Sequence, residues 1–172
     1  QHAPAWRESA SMATRVRNSL FFKIKDSPLS QAEKLITESD LATLSTLYRP
    51  SDQTTVFFAA ARQPGEDFQA VALCSMLLER GIPINHTDEL HQTALFYAAR
   101  QGHADTIRCL ISRGADPNLS DKNGETAIFY AVSQKRPDAV KALLDGGADL
   151  EVVNNWKHTC MSVAPAELLP TL

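Results

Sequence analysis

A segment of the chain returns at a fixed interval, and this repetition constrains the fold more than any other feature. TALFYAARQGHADTIRCLISRGADPN begins at Thr93, and TAIFYAVSQKRPDAVKALLDGGADLE begins 33 residues later at Thr126. Related segments begin at Thr54 and Thr159, so the successive spacings are 39, 33 and 33 residues. A catalytic site is built once in a chain, whereas a segment that returns at a fixed interval is typical of a structural unit stacked on copies of itself.

Each unit has the pattern of two short helices. A threonine at the start of each unit predicts a cap that accepts a backbone N–H bond with its hydroxyl group. Gly102 suits the left-handed residue that ends a first helix. The second helix, predicted over 104–113, places Ile107, Leu110 and Ile111 on one face. A helix pair this short cannot bury its apolar face alone, so three or more stacked copies are needed to form a core.

These residues resemble the ankyrin repeat over about residues 50–164. The resemblance implies an all-α solenoid of helix-turn-helix units with β-turn loops. The positions that carry it are Thr93-Ala94-Leu95, Ala98-Ala99, Gly102-His103, Leu110-Ile111, Gly114-Ala115-Asp116, Asn118 and Asp121-x-x-Gly124.

The pattern divides the chain into three regions. Residues 1–28 form a basic segment, 29–49 a helical N-terminal capping hairpin, and 50–172 the repeats. The units are predicted at 50–88, 89–121, 122–154 and, in part, 155–172. Within the first region, 11–25 has apolar residues every four positions with basic residues between them. That helix could pack on the cap or contact a membrane surface, and we favour packing.

Three departures from the ankyrin pattern carry predictions. The His of the family motif is replaced by Phe, as at Phe96, so we expect packing to replace the polar bond that this His makes to the turn. Lys135 stands where the pattern has Gly, although Pro137 can open the following helix. Pro165 arrives early in the fourth unit and leaves little room for a second helix.

Composition and charge exclude several classes of protein. No apolar run approaches the roughly 18 residues that a membrane-spanning helix needs. The first residues have no apolar core of a secretory signal, and the three cysteines form no C-x-x-C pair, so we expect an intracellular protein, cytoplasmic or nuclear. The net charge of -3 arises from an acidic body, which argues against binding of nucleic acid.

No recognisable catalytic, cofactor or metal motif is present. His86, Asp88, Glu89 and His91 lie close together in sequence, but they fall in a loop between units and no second ligand cluster accompanies them. The glycosylation patterns that begin at Asn85 and Asn118 fall on the loop asparagine of the repeat, which favours coincidence. We therefore expect no enzymatic activity, no cofactor and no metal.

Aromatic pairs recur at one place in each unit. They could form a cage for methylated lysine, as the resemblance to some ankyrin domains implies, or they could belong to the core. Identical positions in every unit favour the core. The pairs are Phe57-Phe58, Phe96-Tyr97 and Phe129-Tyr130.

The resemblance also implies a partner surface on the turn tips and on the ends of the first helices, which line a concave face. Trp156 is either a binding hot spot or a cover for the end of the stack, and Phe68 in the 64–70 insertion is a further candidate. The predicted contact residues are Glu89, Leu90, Gln92, Arg100, Gln101, Lys122, Asn123, Glu125, Ser133, Gln134, Asn155, Trp156 and His158.

We expect a non-catalytic protein-protein interaction module, a scaffold or adaptor that binds a protein or peptide. The alternative is a regulatory or substrate-recruiting domain of a larger enzyme, such as a transferase or a chromatin modifier.

Overall fold

The computed structural model describes residues 29–38 and 67–165, which form six α-helices joined by turns and contain no β-strand. The predicted all-α fold is confirmed. Predictions about residues 1–28, 39–66 and 166–172 lie outside the described residues, and these include the N-terminal basic segment and the first helix of the first unit. The helices are α1 (Leu29–Glu38), α2 (Asp67–Glu79), α3 (Ala94–Gln101), α4 (Ala104–Ser112), α5 (Ala127–Ser133) and α6 (Pro137–Asp145).

The helices form two layers because equivalent helices of successive units pack on each other. The first helices, α3 and α5, pack together, and α4 packs between α2 and α6 in the layer of second helices. Within each unit α3 contacts α4 and α5 contacts α6, while α1 packs on α2. The 33-residue period therefore places each helix pair beside the next one.

The core lies between these two layers. Ile107 and Leu110 of α4 are fully buried, as predicted, while Ile111 is partly buried at the edge of the face. Ala98 of α3 and Ala131 of α5 are also fully buried, and their small side chains suit close packing of the first helices. Burial of one large aliphatic side chain stabilises the fold by about 1.5–3 kcal/mol. Because these side chains are buried against helices of adjacent units, each unit depends on its neighbours for this stabilisation.

Left-handed residues end the helices at the predicted glycines. Gly102 has φ 88° and donates its N–H to the carbonyl groups of Ala98 and Ala99. Gly114 and Gly147 have φ 95° and 87°. Lys135, which replaces the glycine of the preceding unit, keeps the same conformation at φ 54°. A residue with a side chain is strained in the left-handed region. We therefore expect the free-energy cost of lysine in place of glycine at position 135 to come from its backbone conformation.

The threonine caps differ from the prediction. Thr93 and Thr126 occupy the N-cap positions with extended backbone, but neither side chain makes a capping bond. Both hydroxyl oxygens are buried without a hydrogen-bond partner in the part of the chain that the structure describes. The backbone carbonyl groups of these threonines accept instead from Phe96 and Phe129 at 3.1 Å. The prediction that the threonine hydroxyl groups accept a capping N–H is therefore wrong for Thr93 and Thr126, whereas the Thr159 hydroxyl group accepts the N–H of Ser162 at 3.3 Å.

The described end of the insertion is helical rather than a loop. Helix α2 begins at Asp67, so Phe68 lies in its first turn, with 58% of its surface exposed. Asp67 reaches the next unit and caps α4: its carboxylate accepts the N–H groups of Asp105 and Thr106 at 2.6 and 3.0 Å. The Thr106 hydroxyl group donates to the same carboxylate at 2.6 Å. A residue of the insertion thus joins two repeat units.

The fourth unit is short in the structure. Residues 160–163 form only turns, and no helix follows α6 among the described residues, which end at Pro165.

Candidate functional site

Three turns of identical geometry lie where successive units meet; we call residues 88–92, 121–125 and 154–158 the tip row. In each turn the first residue donates its N–H to the carbonyl group of the last, at 2.9–3.0 Å. Its side-chain oxygen accepts the N–H groups of the third and fifth residues at 2.8–3.0 Å. The first residues of the three turns are Asp88, Asp121 and Asn154.

Backbone bonds join neighbouring tips. Lys122 donates its N–H to the carbonyl group of Leu90 at 3.0 Å, and Asn155 donates to the carbonyl group of Asn123 at 2.9 Å. The Asn155 side-chain amide also donates to the carbonyl group of Lys122 at 3.0 Å. The tips therefore form one continuous surface whose backbone is held in place before any partner arrives.

A tyrosine makes the polar bond that the sequence was expected to lack. Tyr97 donates its hydroxyl group to Asp88 at 2.6 Å, and Tyr130 donates to Asp121 at 2.7 Å. These tyrosines directly follow Phe96 and Phe129, which occupy the His position of the family motif. The expectation that packing alone replaces the His bond is wrong for these two units, because the adjacent aromatic residue supplies a donor.

The fourth unit uses a different bond at the same place. Asn154 replaces the aspartate, and Val163 stands where the tyrosine would be. The Asn154 side-chain amide instead donates to the carboxylate of Glu125 at 3.1 Å. The carboxylate and its tyrosine donor are thus replaced together.

The Tyr130 hydroxyl group is held in its protonated form. Partial burial raises its pKa from 10.0 to about 12, and the hydrogen bond to Asp121 acts in the same direction. Deprotonation would place a phenolate beside a carboxylate, so the bond favours the neutral phenol.

The repeat geometry agrees with the comparison to known families. A profile of ankyrin repeats, in three copies, matches residues 56–154. The chain belongs to the ankyrin repeat family. Ankyrin repeats are generally protein-protein interaction modules and are typically non-catalytic. Comparison with curated proteins returned no match. None of the helices in the described ranges has the length and apolar character needed to cross a bilayer.

Most predicted contact residues on the ankyrin tips are exposed. Leu90 and Trp156 occupy equivalent positions two units apart, with 54% and 58% of their surfaces exposed. Asn123 lies at the equivalent position between them and is exposed as well. Four other predicted contact residues of the tips are also exposed: Glu89, Lys122, Asn155 and His158.

Gln92 is the predicted contact residue that the structure buries. Only 2% of its surface is exposed, and its amide donates to Asp121 at 3.1 Å and to the Tyr130 hydroxyl group at 2.9 Å. Its carbonyl oxygen accepts from Arg100 at 3.3 Å. Glu125, at the equivalent position one unit later, is half-buried. These two side chains link neighbouring tips, so they support the surface from within.

Arg100 lies over the rings of Tyr97 and Tyr130. Its guanidinium carbon lies 4.7 Å from the centroid of the Tyr130 ring and 5.7 Å from that of Tyr97. Phe96 and Phe129 are buried in the core, and Phe96 packs edge-on against Tyr130 with ring centroids 5.5 Å apart. The rings at these two units therefore form core and a cation–π contact within the chain.

The helix ends contribute a second, polar part of the predicted surface. Gln134 is exposed, and so is Ser133, whose hydroxyl group donates to the carbonyl group of Tyr130 at 3.1 Å. Gln101 is half-buried. Gln101 lies beside a pocket that Gly102, Lys135, Arg136, Pro137 and Asp138 complete.

Two of the side chains considered for metal binding or modification, Asp88 and Asn118, have structural partners. No group of three or more His, Cys, Asp or Glu residues suited to a metal ion occurs among residues 29–38 and 67–165. Both carboxylate oxygens of Asp88 accept hydrogen bonds within the repeat. Asn118 donates its amide to the Gly147 carbonyl group at 3.0 Å, so glycosylation there would disrupt a contact between units. Burial raises the pKa of Cys74, which makes its thiol a poor nucleophile.

Proposed function

We propose that this ankyrin chain binds a partner protein or peptide across the tip row and the ends of the first helices. The observation that carries the proposal is the exposure of Trp156 on a turn whose backbone is already fixed. Large aromatic side chains are enriched among binding hot spots, and a surface ordered in advance loses little entropy on association.

The distribution of contacts supports a division of roles. Gln92, Glu125 and the buried aspartates hold the tips in place, while Leu90, Asn123 and Trp156 face solvent one after another along the row. A partner that spans the row would meet a different side chain at each equivalent position. Such variation at fixed geometry is a basis for specificity.

Site-specific cross-linking tests this surface. A photoreactive amino acid at Asn123, in the middle of the tip row, should capture a bound protein from cells that express the chain. The matched control places the same amino acid at Lys141, which is exposed on α6 in the layer of second helices. Equal or stronger capture from Lys141 would show that the partner binds the other side of the stack.

The two interpretations of Trp156 are separable by substitution. If Trp156 contacts a partner, Trp156→Ala weakens capture from Asn123 at least about tenfold while the melting temperature changes little. If Trp156 covers the end of the stack, the same substitution lowers the melting temperature instead. We favour the first result because more than half of the side chain faces solvent in the free chain (58% exposed).

A role as the recruiting domain of a larger enzyme would use the same surface. No observation on the described residues favours it over a scaffold or adaptor, and the family is typically non-catalytic.

A further inference from the structure

Exposed charge changes sign along the tip row. The tip of the second unit presents the carboxylate of Glu89, whereas the tips of the third and fourth units present Lys122 and Lys157. The other three carboxylates in the row are buried or half-buried and accept hydrogen bonds within the repeats: Asp88, Asp121 and Glu125. At the third and fourth tips the fully exposed charged side chains are therefore the two lysines, although the whole chain carries a net charge of -3.

Lys122 and Lys157 have no ion pair or side-chain hydrogen bond with any residue in the described ranges. Two other cations of the repeats are paired: Arg108 pairs with Asp105, and Arg113 lies 3.7 Å from the Glu79 carboxylate. The two lysines are thus available to an incoming anion without loss of an existing pair.

The same end of the row carries the exposed indole. Trp156 follows Asn155, whose side chain is bonded to the Lys122 carbonyl group, and precedes Lys157. The Asn154 side chain accepts the Trp156 N–H at 3.0 Å, which fixes the backbone beneath the ring. The exposed indole is therefore next to Lys157 in sequence and is joined through Asn155 to the backbone of Lys122 in the adjacent unit.

We propose that the surface formed by Lys122, Trp156, Lys157 and His158 binds an acidic peptide segment that presents one large apolar side chain to the indole. This inference rests on the proposed function and names the chemistry of its partner. Contact with Trp156 supplies most of the affinity, and carboxylates facing the two lysines supply specificity and a faster association. Because the lysines are solvent-exposed, binding weakens as salt is raised.

Nucleic acid would also bring anionic groups to a tryptophan and two lysines. We favour the peptide because the rest of the chain is acidic and would repel a phosphate backbone extending beyond this small surface.

Fluorescence anisotropy with labelled probes and the full chain tests the proposal. The first probe is a short peptide in which one leucine is flanked by glutamates; the others replace the glutamates by lysines or the leucine by serine. We expect the glutamate–leucine peptide to bind at least about tenfold more tightly than either. Equal binding of the lysine peptide, no binding of any peptide, or tighter binding of a single-stranded oligonucleotide would overturn the proposal.

Variants identify the surface that is used. Trp156→Ala should weaken the glutamate–leucine peptide about tenfold, and Lys122→Ala and Lys157→Ala about threefold each. Lys141→Ala removes an exposed lysine from α6 and serves as the matched control, with unchanged affinity. Circular dichroism melting checks that each variant is folded. Unchanged affinity in the double lysine variant contradicts the proposal.

Cross-linking distinguishes failure of this inference from failure of the proposed function. If the glutamate–leucine peptide does not bind but a partner is still captured from Asn123, the acidic-ligand inference is wrong and the tip row remains the binding surface. If capture from Asn123 is also lost, the proposed function is wrong as well.

Discussion

Tyr130 donates its hydroxyl group to the carboxylate of Asp121 across nine residues, which joins the first helix of a repeat to its own turn tip. Tyr97 makes the same bond to Asp88 one unit earlier. Because the same carboxylate accepts the N–H groups of the tip, the tyrosine supports the surface from below.

A double-mutant cycle measures this coupling. Asp121→Ala leaves two tip N–H groups and a tyrosine hydroxyl group without their acceptor, so it should lower the free energy of unfolding by about 2–4 kcal/mol. Tyr130→Phe alone should cost about 1 kcal/mol. In urea denaturation the double variant should lose about 1 kcal/mol less than the sum, because both changes remove the same bond.

The matched control combines Tyr130→Phe with Asn154→Ala. Asn154 holds the fourth tip but makes no contact with a tyrosine hydroxyl group, so the two losses should add to within about 0.5 kcal/mol. Additivity in the Asp121 cycle as well would show that the hydrogen bond contributes nothing measurable.

Alkaline pH should weaken the fold through Tyr130. Its pKa is raised in the folded chain from 10.0 to about 12, so the unfolded chain releases this proton first as pH rises. The stabilisation is complete below about pH 10 and is lost progressively between about pH 10 and 12. Tyr130→Phe lacks this contribution, so the difference in unfolding free energy between the two chains should shrink over that window. A constant difference across the window would contradict the assigned shift.

Asp67 should stabilise the contact between successive second helices. Asp67→Ala removes the carboxylate that accepts two N–H groups at the start of α4, and we expect a loss of about 1–2 kcal/mol in urea denaturation. Asp138→Ala is the control: it removes an exposed acidic residue from the first turn of α6, for which we expect about 0.5 kcal/mol. Equal losses of unfolding free energy in the two variants would contradict this prediction. They would mean that the bonds from Asp67 to the next unit add no stability beyond the interaction of an acidic residue with a helix N-terminus.

Replacing Lys135 by glycine should stabilise the chain. Lys135 holds a left-handed backbone at φ 54°, and relief of that strain, offset by the greater freedom of glycine in the unfolded chain, leaves a gain of about 0.5–1 kcal/mol. Thermal denaturation should therefore show a higher melting temperature.

The reverse change tests the same physics. Gly114 has φ 95°, and an added Cβ would meet no atom within 4 Å, so Gly114→Val reports backbone strain without a clash. We expect a loss of about 1–2 kcal/mol. An unchanged melting temperature in both variants would contradict the role of the left-handed turns.

The period alone was sufficient to predict the stacked helices and their glycine ends. It also contained a signal for the tyrosine bond, since Asp88 and Tyr97 are nine residues apart, as are Asp121 and Tyr130, and both members change at Asn154 and Val163. The family motif places the polar donor one residue earlier, which concealed that signal.

Other features depend on the three-dimensional arrangement. Asp67 lies 38 residues before Asp105, within an insertion that breaks the period, so no repeat position predicts the cap. Gln92 was predicted as a contact residue because it lies in a tip, but its side chain turns inward to the next tip. The sequence was enough to place the tip row. The three-dimensional structure was needed to distinguish the tip residues that are exposed from those, such as Gln92, that are buried and support the tips.

Hydrogen exchange of the chain with and without a partner captured from Asn123 tests the central claim most directly. The account predicts added protection in residues 88–92, 121–125 and 154–158, and unchanged exchange in α4 and α6. Protection centred on α4 and α6, with the tips unchanged, would contradict it.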